Sequence, residues 1–96
     1  MPRLKWSPRA LQDIGRLHAF VVAKSPDAAR RAIQTIRQGV RALENHPESG
    51  RLVPELAAEF REWVIEFGQS AYLALYHFDG KEVIILAVRH GREAGY

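Results

Sequence analysis

The sequence contains no cysteine among its 96 residues. Disulfide bonds and thiolate metal sites are therefore excluded, and a small secreted scaffold held by disulfides is not expected. No stretch stays apolar for long enough to span a membrane, and residues 1–6 lead directly into polar and turn residues rather than into a signal peptide. We expect a cytoplasmic protein whose residues 1–96 form one domain, because this length suits a single hydrophobic core.

Motifs of the common enzyme classes are also missing. The sequence has no glycine-rich phosphate loop, no serine–histidine–aspartate set and no cysteine nucleophile. Its four histidines lack the spacing of metal ligands, so neither a metal nor a cofactor is expected. We interpret His18 as a packing residue of a helix, His46 as a helix-end residue and His77 as an exposed strand residue. His90 lies beside two arginines and suits either a functional or a structural role.

The charges that are present are distributed unevenly. Residues 1–41 hold nine lysines and arginines against two acidic residues, whereas residues 42–96 hold five against nine. The basic half could attract an acidic protein segment or a nucleic acid, or it could simply form a solvated helical surface.

Two amphipathic helices are predicted in the basic half. Ser7-Pro8 and Ser25-Pro26 are helix start signals, with serine as the N-cap and proline in the first turn. The first helix should run to about Ala23 or Lys24, and the second should end near Asn45, because the residue before a proline disfavours helical geometry. The short connection implies a helical hairpin. Three arginines lie opposite the apolar stripe of the second helix: Arg30, Arg37 and Arg41.

Residues 47–59 break this pattern and should form an ordered surface loop, which could hold one helical turn around Leu56. Alternating apolar residues then predict strands over 63–67 and 71–78, and the apolar run over 83–88 predicts a third, after a short first strand over 4–6. Asp79-Gly80 suits a two-residue hairpin turn. The order β-α-α-β-β-β indicates an α+β fold, with a helical hairpin packed on one face of a small, mainly antiparallel sheet.

The last predicted strand, Val83 to Val88, is apolar on both faces. Two helices can cover only one face of the sheet, and a strand with one solvated face should alternate. We therefore expect the uncovered face to meet a partner protein, a second copy or the ends of the chain itself. The alternative is a central strand buried by long flanking side chains.

Several short motifs in this order resemble the ParE/RelE superfamily of toxins from toxin–antitoxin pairs. The resemblance covers nearly the whole chain and implies a small toxin that a neighbouring antitoxin binds and neutralises. The matching segments are Trp6-Ser7-Pro8 with Ala10, Asp13-Ile14, Pro26-Asp27-Ala28-Ala29, His46-Pro47 with Gly50-Arg51, Arg61-Glu62, Tyr72 with Tyr76, and Val88-Arg89-His90-Gly91-Arg92.

The superfamily has two branches, and the resemblance implies a different target for each. RelE-like members resemble ribonucleases that cut messenger RNA in the ribosome, whereas ParE-like members poison DNA gyrase. The RelE-like enzymes use lysines and arginines on the sheet, and alignment on the Tyr72–Tyr76 strand places three of these positions at or near Val64, Glu66 and Leu73. Because none of the three is basic, and Glu66 would repel a phosphate, we predict a ParE-like toxin that binds DNA gyrase.

Two alternatives stay open. One is a ribosome-dependent messenger-RNA endonuclease, in which Glu66 is the general base, His90 the acid and nearby arginines hold the phosphate. The candidate residues for that chemistry are His90, Arg92, Glu66, Arg61, Arg89 and Tyr96. The other is a non-toxic protein of this fold that forms a complex with its antitoxin and represses its own operon.

Binding roles are predicted for two groups of residues. Contacts with the target are predicted for Arg61, Arg89, His90 and Arg92. Contacts with the antitoxin are predicted for the helical arginines, Arg30, Arg37 and Arg41. Arg61 could instead form an ion pair with Glu59 or Glu62, and Arg51 should anchor the loop. Trp6 and Trp63 are expected in the core.

Overall fold

The computed structural model describes residues 2–96, in which two helices cover one face of a five-stranded sheet. The sheet order is β1-β5-β4-β3-β2, with β1 parallel to β5 and the other neighbours antiparallel. The predicted α+β class and the helical hairpin are confirmed. The elements are β1 (Arg3–Trp6), α1 (Pro8–Val22), α2 (Pro26–Arg41), β2 (Arg51–Leu52), β3 (Phe60–Phe67), β4 (Ser70–Phe78) and β5 (Glu82–His90).

Both helices start at the predicted N-caps. The Ser7 hydroxyl accepts a hydrogen bond from the backbone N–H of Ala10, and Ser25 accepts one from Ala28, at 3.0 and 3.1 Å. These bonds satisfy one of the free N–H groups at each helix start. The helix α2 ends at Arg41 and continues as a 3-10 turn over Ala42–Glu44, so the helical stretch stops next to the predicted end.

The segment between the helices and the long strands differs from the prediction. It contains the two-residue strand β2, in which Arg51 pairs with Glu62 and Leu52 with Arg61. The prediction of a helical turn around Leu56 was wrong. The chain there makes a tight turn in which the backbone φ angle of Glu55 is 74°. The strand β3 also begins at Phe60 rather than at residue 63. Two consecutive charged residues, Arg61 and Glu62, interrupt the apolar pattern, so the sequence does not show that the strand begins at Phe60.

An irregularity in the β4–β5 pairing is stabilised by α1. The register shifts between Leu75 and Tyr76, which leaves Leu86 as an extra residue of β5. The carbonyl of Leu86 accepts a hydrogen bond from the Ser7 hydroxyl at 3.0 Å. The backbone N–H of Val88 donates to the buried carboxylate of Asp13 at 2.9 Å. Backbone groups around this bulge are thus paired with α1.

The helix α1 packs on the sheet through a stripe that does not include His18. It buries Ala10, Asp13, Ile14 and Leu17. His18 is exposed and Leu11 is 52% exposed. The interpretation of His18 as a packing residue was therefore wrong. Successive helix residues are about 100° apart, so a stripe that includes Asp13 leaves His18 at its edge.

The helix-covered face of the sheet carries the core. Tyr72, Ala74 and Tyr76 of β4 lie there, and Phe78 packs at the edge. Trp6 and Trp63 are only half-buried against this core, because both belong to strands near the edges of the sheet. Other buried members are Ile14, Leu17, Ala32, Ile36, Val40, Leu43, Ile65, Val83, Ile85 and Val88.

The other face is partly covered by the end of the chain. The hydroxyl of Tyr96 reaches Glu62 of β3, and the Tyr96 ring lies under Arg89 of β5. Because β4 runs between β3 and β5, Tyr96 spans the centre of this face. Leu73 is only 7% exposed there. The sequence predicted that a partner protein, a second copy or the chain's own ends would cover this face, and the structure contains the last of these. We call this surface of the sheet the tail face.

His77 also lies on the tail face and differs from its prediction. It is half-buried, with its ring edge-on to Phe60 at a centroid distance of 5.0 Å. These two residues are register partners on neighbouring strands, so the aromatic contact shields the imidazole that the sequence left exposed. His46 lies on the surface just after the 3-10 turn, at the helix end as predicted.

Candidate functional site

A cleft with a volume of about 610 Å³ opens between the C-terminal half of α1 and the end of the sheet. Its most exposed aromatic residue is Phe20, at 70%. The Lys24 ammonium lies 5.3 Å from the centre of that ring. The cleft is lined by Arg16, Leu17, Phe20, Val21, Lys24, Phe67, Ser70, Tyr72, His90, Arg92 and Glu93. It therefore combines an apolar floor with cations, which is the composition of a site for an apolar, acidic ligand.

His90 and Arg92 are the two predicted functional residues that this cleft brings together. The Nδ1 atom of His90 accepts a hydrogen bond from the backbone N–H of Arg92, at 3.1 Å. Since a backbone N–H can only donate, the hydrogen of the neutral imidazole lies on Nε2 and is donated to the Ser70 hydroxyl at 2.6 Å. The ring also stands edge-on to Tyr72. One ring nitrogen thus holds the turn that follows β5, and the other joins the end of β5 to the start of β4.

Glu93 completes this turn, although the sequence gave no reason to single it out. Its carboxylate accepts a hydrogen bond from the backbone N–H of His90 at 2.8 Å and another from Arg16 at 2.5 Å. Burial alone would raise the pKa of Glu93, but these two hydrogen bonds and the charge of Arg16 hold it below its usual value. The ionised carboxylate therefore joins the end of β5 to α1.

A second cluster of charges lies on the tail face. Glu62, only 8% exposed, accepts hydrogen bonds from Arg51 and from the Tyr96 hydroxyl. The Arg89 guanidinium lies 3.9 Å from the Glu62 carboxylate and 5.0 Å from the centre of the Tyr96 ring. Burial opposes ionisation of Glu62, but the hydrogen bonds from Tyr96 and Arg51 hold its pKa below the usual value. Burial and the neighbouring Glu62 carboxylate raise the pKa of Tyr96.

Two other predicted residues, Arg61 and Glu66, do not join either cluster. Arg61 donates to the backbone carbonyls of Glu48 and Gly50, at 3.0 and 2.8 Å, so it holds the loop rather than forming the expected ion pair with Glu59 or Glu62. Arg51 anchors the loop to Glu62, as the sequence predicted. Glu66 is exposed at the far end of β3, opposite Ala71. The four predicted target contacts therefore lie in three separate places.

The arginines of α2 are exposed, as predicted, and most have nearby acidic partners. Asp27 pairs with Arg30 at 2.6 Å and with Arg31 at 3.0 Å, and Arg41 pairs with Glu44 at 3.3 Å. Hydrogen bonds from Arg30 and Arg31 lower the pKa of Asp27. Such surface pairs reorganise at little cost, so these arginines stay available to a partner. Their role in antitoxin binding stays a prediction.

The part of the chain that the structure describes contains neither a metal site nor a membrane-spanning helix. Within residues 2–96, histidines and acidic residues form no group that could hold a metal ion. Over the same residues, no helix is both long enough and apolar enough to cross a membrane.

Comparison with known proteins gives the family. Residues 4–95 match the family model described as the ParE toxin of type II toxin–antitoxin system, parDE. The chain belongs to the ParE toxin family. The match includes the cleft and the strands of the tail face, and it stops one residue before Tyr96. The resemblance to the ParE/RelE superfamily that the sequence indicated is thereby confirmed.

Individual relatives carry names from both branches. The chain is 36% identical to Toxin RelE1 of Caulobacter vibrioides over 87 residues, covering 91% of this chain and 90% of that toxin. It is 30% identical to Toxin RelE3 of the same organism over 93 residues, covering 97% and 98%. A solved structure described as the chromosomal ParDE TA system from P. aeruginosa is similar, with a TM-score of 0.76, 27% identity and coverage of 94% and 96%.

Proposed function

We propose that this ParE-family toxin acts by binding DNA gyrase rather than by cutting RNA, and that a cognate antitoxin neutralises it. The tail face carries this proposal. In the row across the sheet, Val64 lies opposite Leu73, and Leu73 lies opposite Arg89. Two of the three positions in this row are apolar, although a ribonuclease would need cations there to stabilise charge on the phosphate.

Two arginines that lie on the tail face are already neutralised. Arg51 and Arg89 both face the carboxylate of Glu62, which is buried and held in its ionised form. A phosphate approaching them would meet the negative charge of Glu62 and would have to displace Tyr96. A target that is bound through a protein surface does not need this cation cluster.

The pair of residues proposed for acid–base catalysis also lies on opposite faces. Glu66 is in register with Ala71 on the tail face, whereas His90 is in register with Tyr72 on the helix-covered face. A general base and a general acid must both come within hydrogen-bond distance of one reacting phosphate. Two side chains separated by the sheet do not meet this condition.

The antitoxin is the partner that suits the cleft. An exposed phenylalanine, Phe20, lies beside the exposed cations Lys24 and Arg92. An antitoxin segment with an apolar side chain next to acidic residues would bury Phe20 and pair with these cations. Phe20→Ser should therefore weaken antitoxin binding by about tenfold or more, whereas Leu11→Ser on the outer side of the same helix should leave it unchanged.

The deciding experiment uses the purified toxin freed of antitoxin. It is added to gyrase with supercoiled DNA and, in parallel, to translating ribosomes with a defined messenger. The expected result is trapped, cleaved DNA with an intact messenger. Cut messenger with unaffected gyrase would refute the proposal, and the absence of any growth defect on expression would favour the non-toxic, autorepressing alternative.

Ribosome-dependent RNA cleavage is the second candidate, and one arrangement favours it. His90, Arg92 and Lys24 line the same cleft as three aromatic rings, so cations and stacking surfaces are both available to RNA. If this candidate is correct, His90→Ala and Arg92→Ala should each lower RNA cleavage by about 10²-fold or more. A toxin that acts on gyrase should keep its activity in at least one of these variants.

A further inference from the structure

A second exposed apolar surface lies on the chain that joins β2 to β3. Its two largest members are Leu52, which is 58% exposed, and Leu56, which is 47% exposed. Exposed apolar residues that lie close together can mark a binding surface. We call this the β2–β3 loop surface, and its exposed members are Leu52, Pro54, Leu56, Ala57 and Ala58.

The base of this loop is fixed by buried and half-buried side chains. The hydroxyl of Tyr76, a fully buried residue, accepts a hydrogen bond from the Gly50 N–H at 2.9 Å and donates one to the Pro47 carbonyl at 2.8 Å. Arg61 donates to the carbonyls of Glu48 and Gly50. These contacts hold the chain just before β2. Within the loop, the Leu56 N–H donates to the Val53 carbonyl at 3.1 Å, and the Phe78 N–H of β4 donates to the Glu59 carbonyl at 2.9 Å. Because the backbone is held on both sides, binding through the loop would cost little conformational entropy.

The charges around the loop surface are acidic. Glu48, Glu55 and Glu59 are all exposed around it. Of the two neighbouring arginines, Arg51 pairs with the Glu62 carboxylate, and the half-buried Arg61 keeps its charge while donating to backbone carbonyls. The three glutamates therefore outnumber the one cation that no carboxylate neutralises. An apolar centre with an acidic rim repels nucleic-acid phosphates and complements a protein surface that is apolar with a basic rim.

The loop surface and the cleft lie at opposite ends of one strand. Ser70 and Tyr72, near the start of β4, line the cleft. Tyr76, near the end of β4, holds the base of the loop. Four residues of extended chain separate Tyr72 from Tyr76, which is about 13 Å at the usual strand rise. The charges at the two ends also differ in sign, so the ends suit partners of opposite charge.

We infer that the β2–β3 loop surface docks the toxin's protein target, through a patch on that target that is apolar and ringed by lysines or arginines. This inference rests on the proposed action on gyrase, and it leaves the cleft for the antitoxin. Proteins that bind DNA carry basic surfaces, and a toxin with an acidic, apolar projection can occupy the border of such a surface without competing for phosphate.

The test measures binding of the full-length chain to purified gyrase on DNA, together with trapping of cleaved DNA. Leu52→Ser combined with Leu56→Ser should weaken binding by about tenfold or more, whereas Leu11→Ser should change it by less than about twofold. Glu59→Lys should weaken binding, and Glu66→Lys at the far end of β3 should not. Affinity for the antitoxin should stay the same in the loop variants and fall in Phe20→Ser.

The outcomes separate this inference from the proposed function. If the unaltered toxin binds gyrase and the double leucine variant binds as well as Leu11→Ser does, the loop surface is not the docking site. If the unaltered toxin does not bind gyrase, the proposed function is wrong and the inference is refuted with it. Self-association that the leucine substitutions abolish would make the surface an interface between two copies and would also overturn the inference.

Discussion

Replacing Glu62 with glutamine should destabilise the protein and release its C-terminal tail. The substitution keeps the size of the side chain and removes the negative charge that Arg51, Arg89 and Tyr96 share. A hydrogen bond to a charged group contributes about 1.5–3 kcal/mol, and breaking a buried ion pair costs about 3–5 kcal/mol. The Arg51 side chain is 61% exposed and can be rehydrated, so its share is small. We expect a net loss of about 2 kcal/mol.

The loss should depend on pH in a defined direction. The folded protein holds the pKa of Glu62 below its ordinary value of 4.5. Its ionised form therefore contributes stability above that value, and the contribution disappears as the pH falls through the lower, folded-state pKa. Other carboxylates with lowered pKa values are present in both proteins. Their contributions therefore cancel when the unfolding free energies of the two proteins are subtracted. The gap between the unaltered protein and Glu62→Gln should be full near about pH 7 and should shrink below about pH 4.5.

The assay is urea unfolding followed by tryptophan fluorescence, at about pH 7 and at a pH below about 4.5. Hydrogen exchange of residues 91–96 reports whether the C-terminal tail is released. For a domain of this size the loss corresponds to a fall in Tm of about 10 °C. Glu66→Gln is the matched control, because Glu66 is an exposed glutamate on the same face of β3, and its effect should stay within about 0.5 kcal/mol. This account would be refuted if Glu62→Gln lowered the free energy of unfolding as little as the Glu66→Gln control does. It would also be refuted if the loss were the same at the two pH values.

Three further substitutions should change the free energy of unfolding, one by raising it and two by lowering it. Gly15→Ala should stabilise the protein by up to about 1 kcal/mol in thermal unfolding, because the added Cβ on α1 meets nothing within 4 Å and alanine is the better helix former. Gly39→Ala should destabilise it despite the same helix preference, since the Cβ would lie 2.7 Å from Ile65 Cγ2, and overpacking costs about 1–3 kcal/mol. Asp13→Ala should cost about 1–3 kcal/mol in urea unfolding, because it leaves the Val88 N–H unpaired in the core, and a smaller loss would mean that water replaces the carboxylate.

The features that the sequence predicted correctly depend on residues close together in the chain. Each N-cap is set by a serine and a backbone N–H only three positions away. The strands β4 and β5 are largely apolar runs, and Asp79 in the turn between them accepts hydrogen bonds from the backbone N–H groups of Lys81 and Glu82. The turn is longer than the two residues expected, because Phe78 pairs with Val83. Local chemistry of this kind can be seen directly in the sequence.

The features that the sequence missed depend on contacts between distant residues. Glu62 meets Tyr96 across 34 positions, and Asp13 meets Val88 across 75. Nothing in the sequence around Asp13 marks a buried carboxylate, because its partner is created by a strand irregularity that only forms in the sheet. This explains why the buried stripe of α1 includes an aspartate and leaves His18 in solvent.

The placement of Glu62 also explains why a single basic substitution would not turn the tail face into a nuclease site. Leu73→Arg would put a cation beside Arg89, but that position is only 7% exposed and has no carboxylate opposite it. The new charge would lose hydration and repel Arg89, while Glu62 would still hold the existing arginines. An RNA-cleaving face would require the loss of Glu62 and the displacement of Tyr96 as well as new cations. The present arrangement instead suits a sheet whose tail face is partly covered by Tyr96 and whose central arginine is already held by a carboxylate.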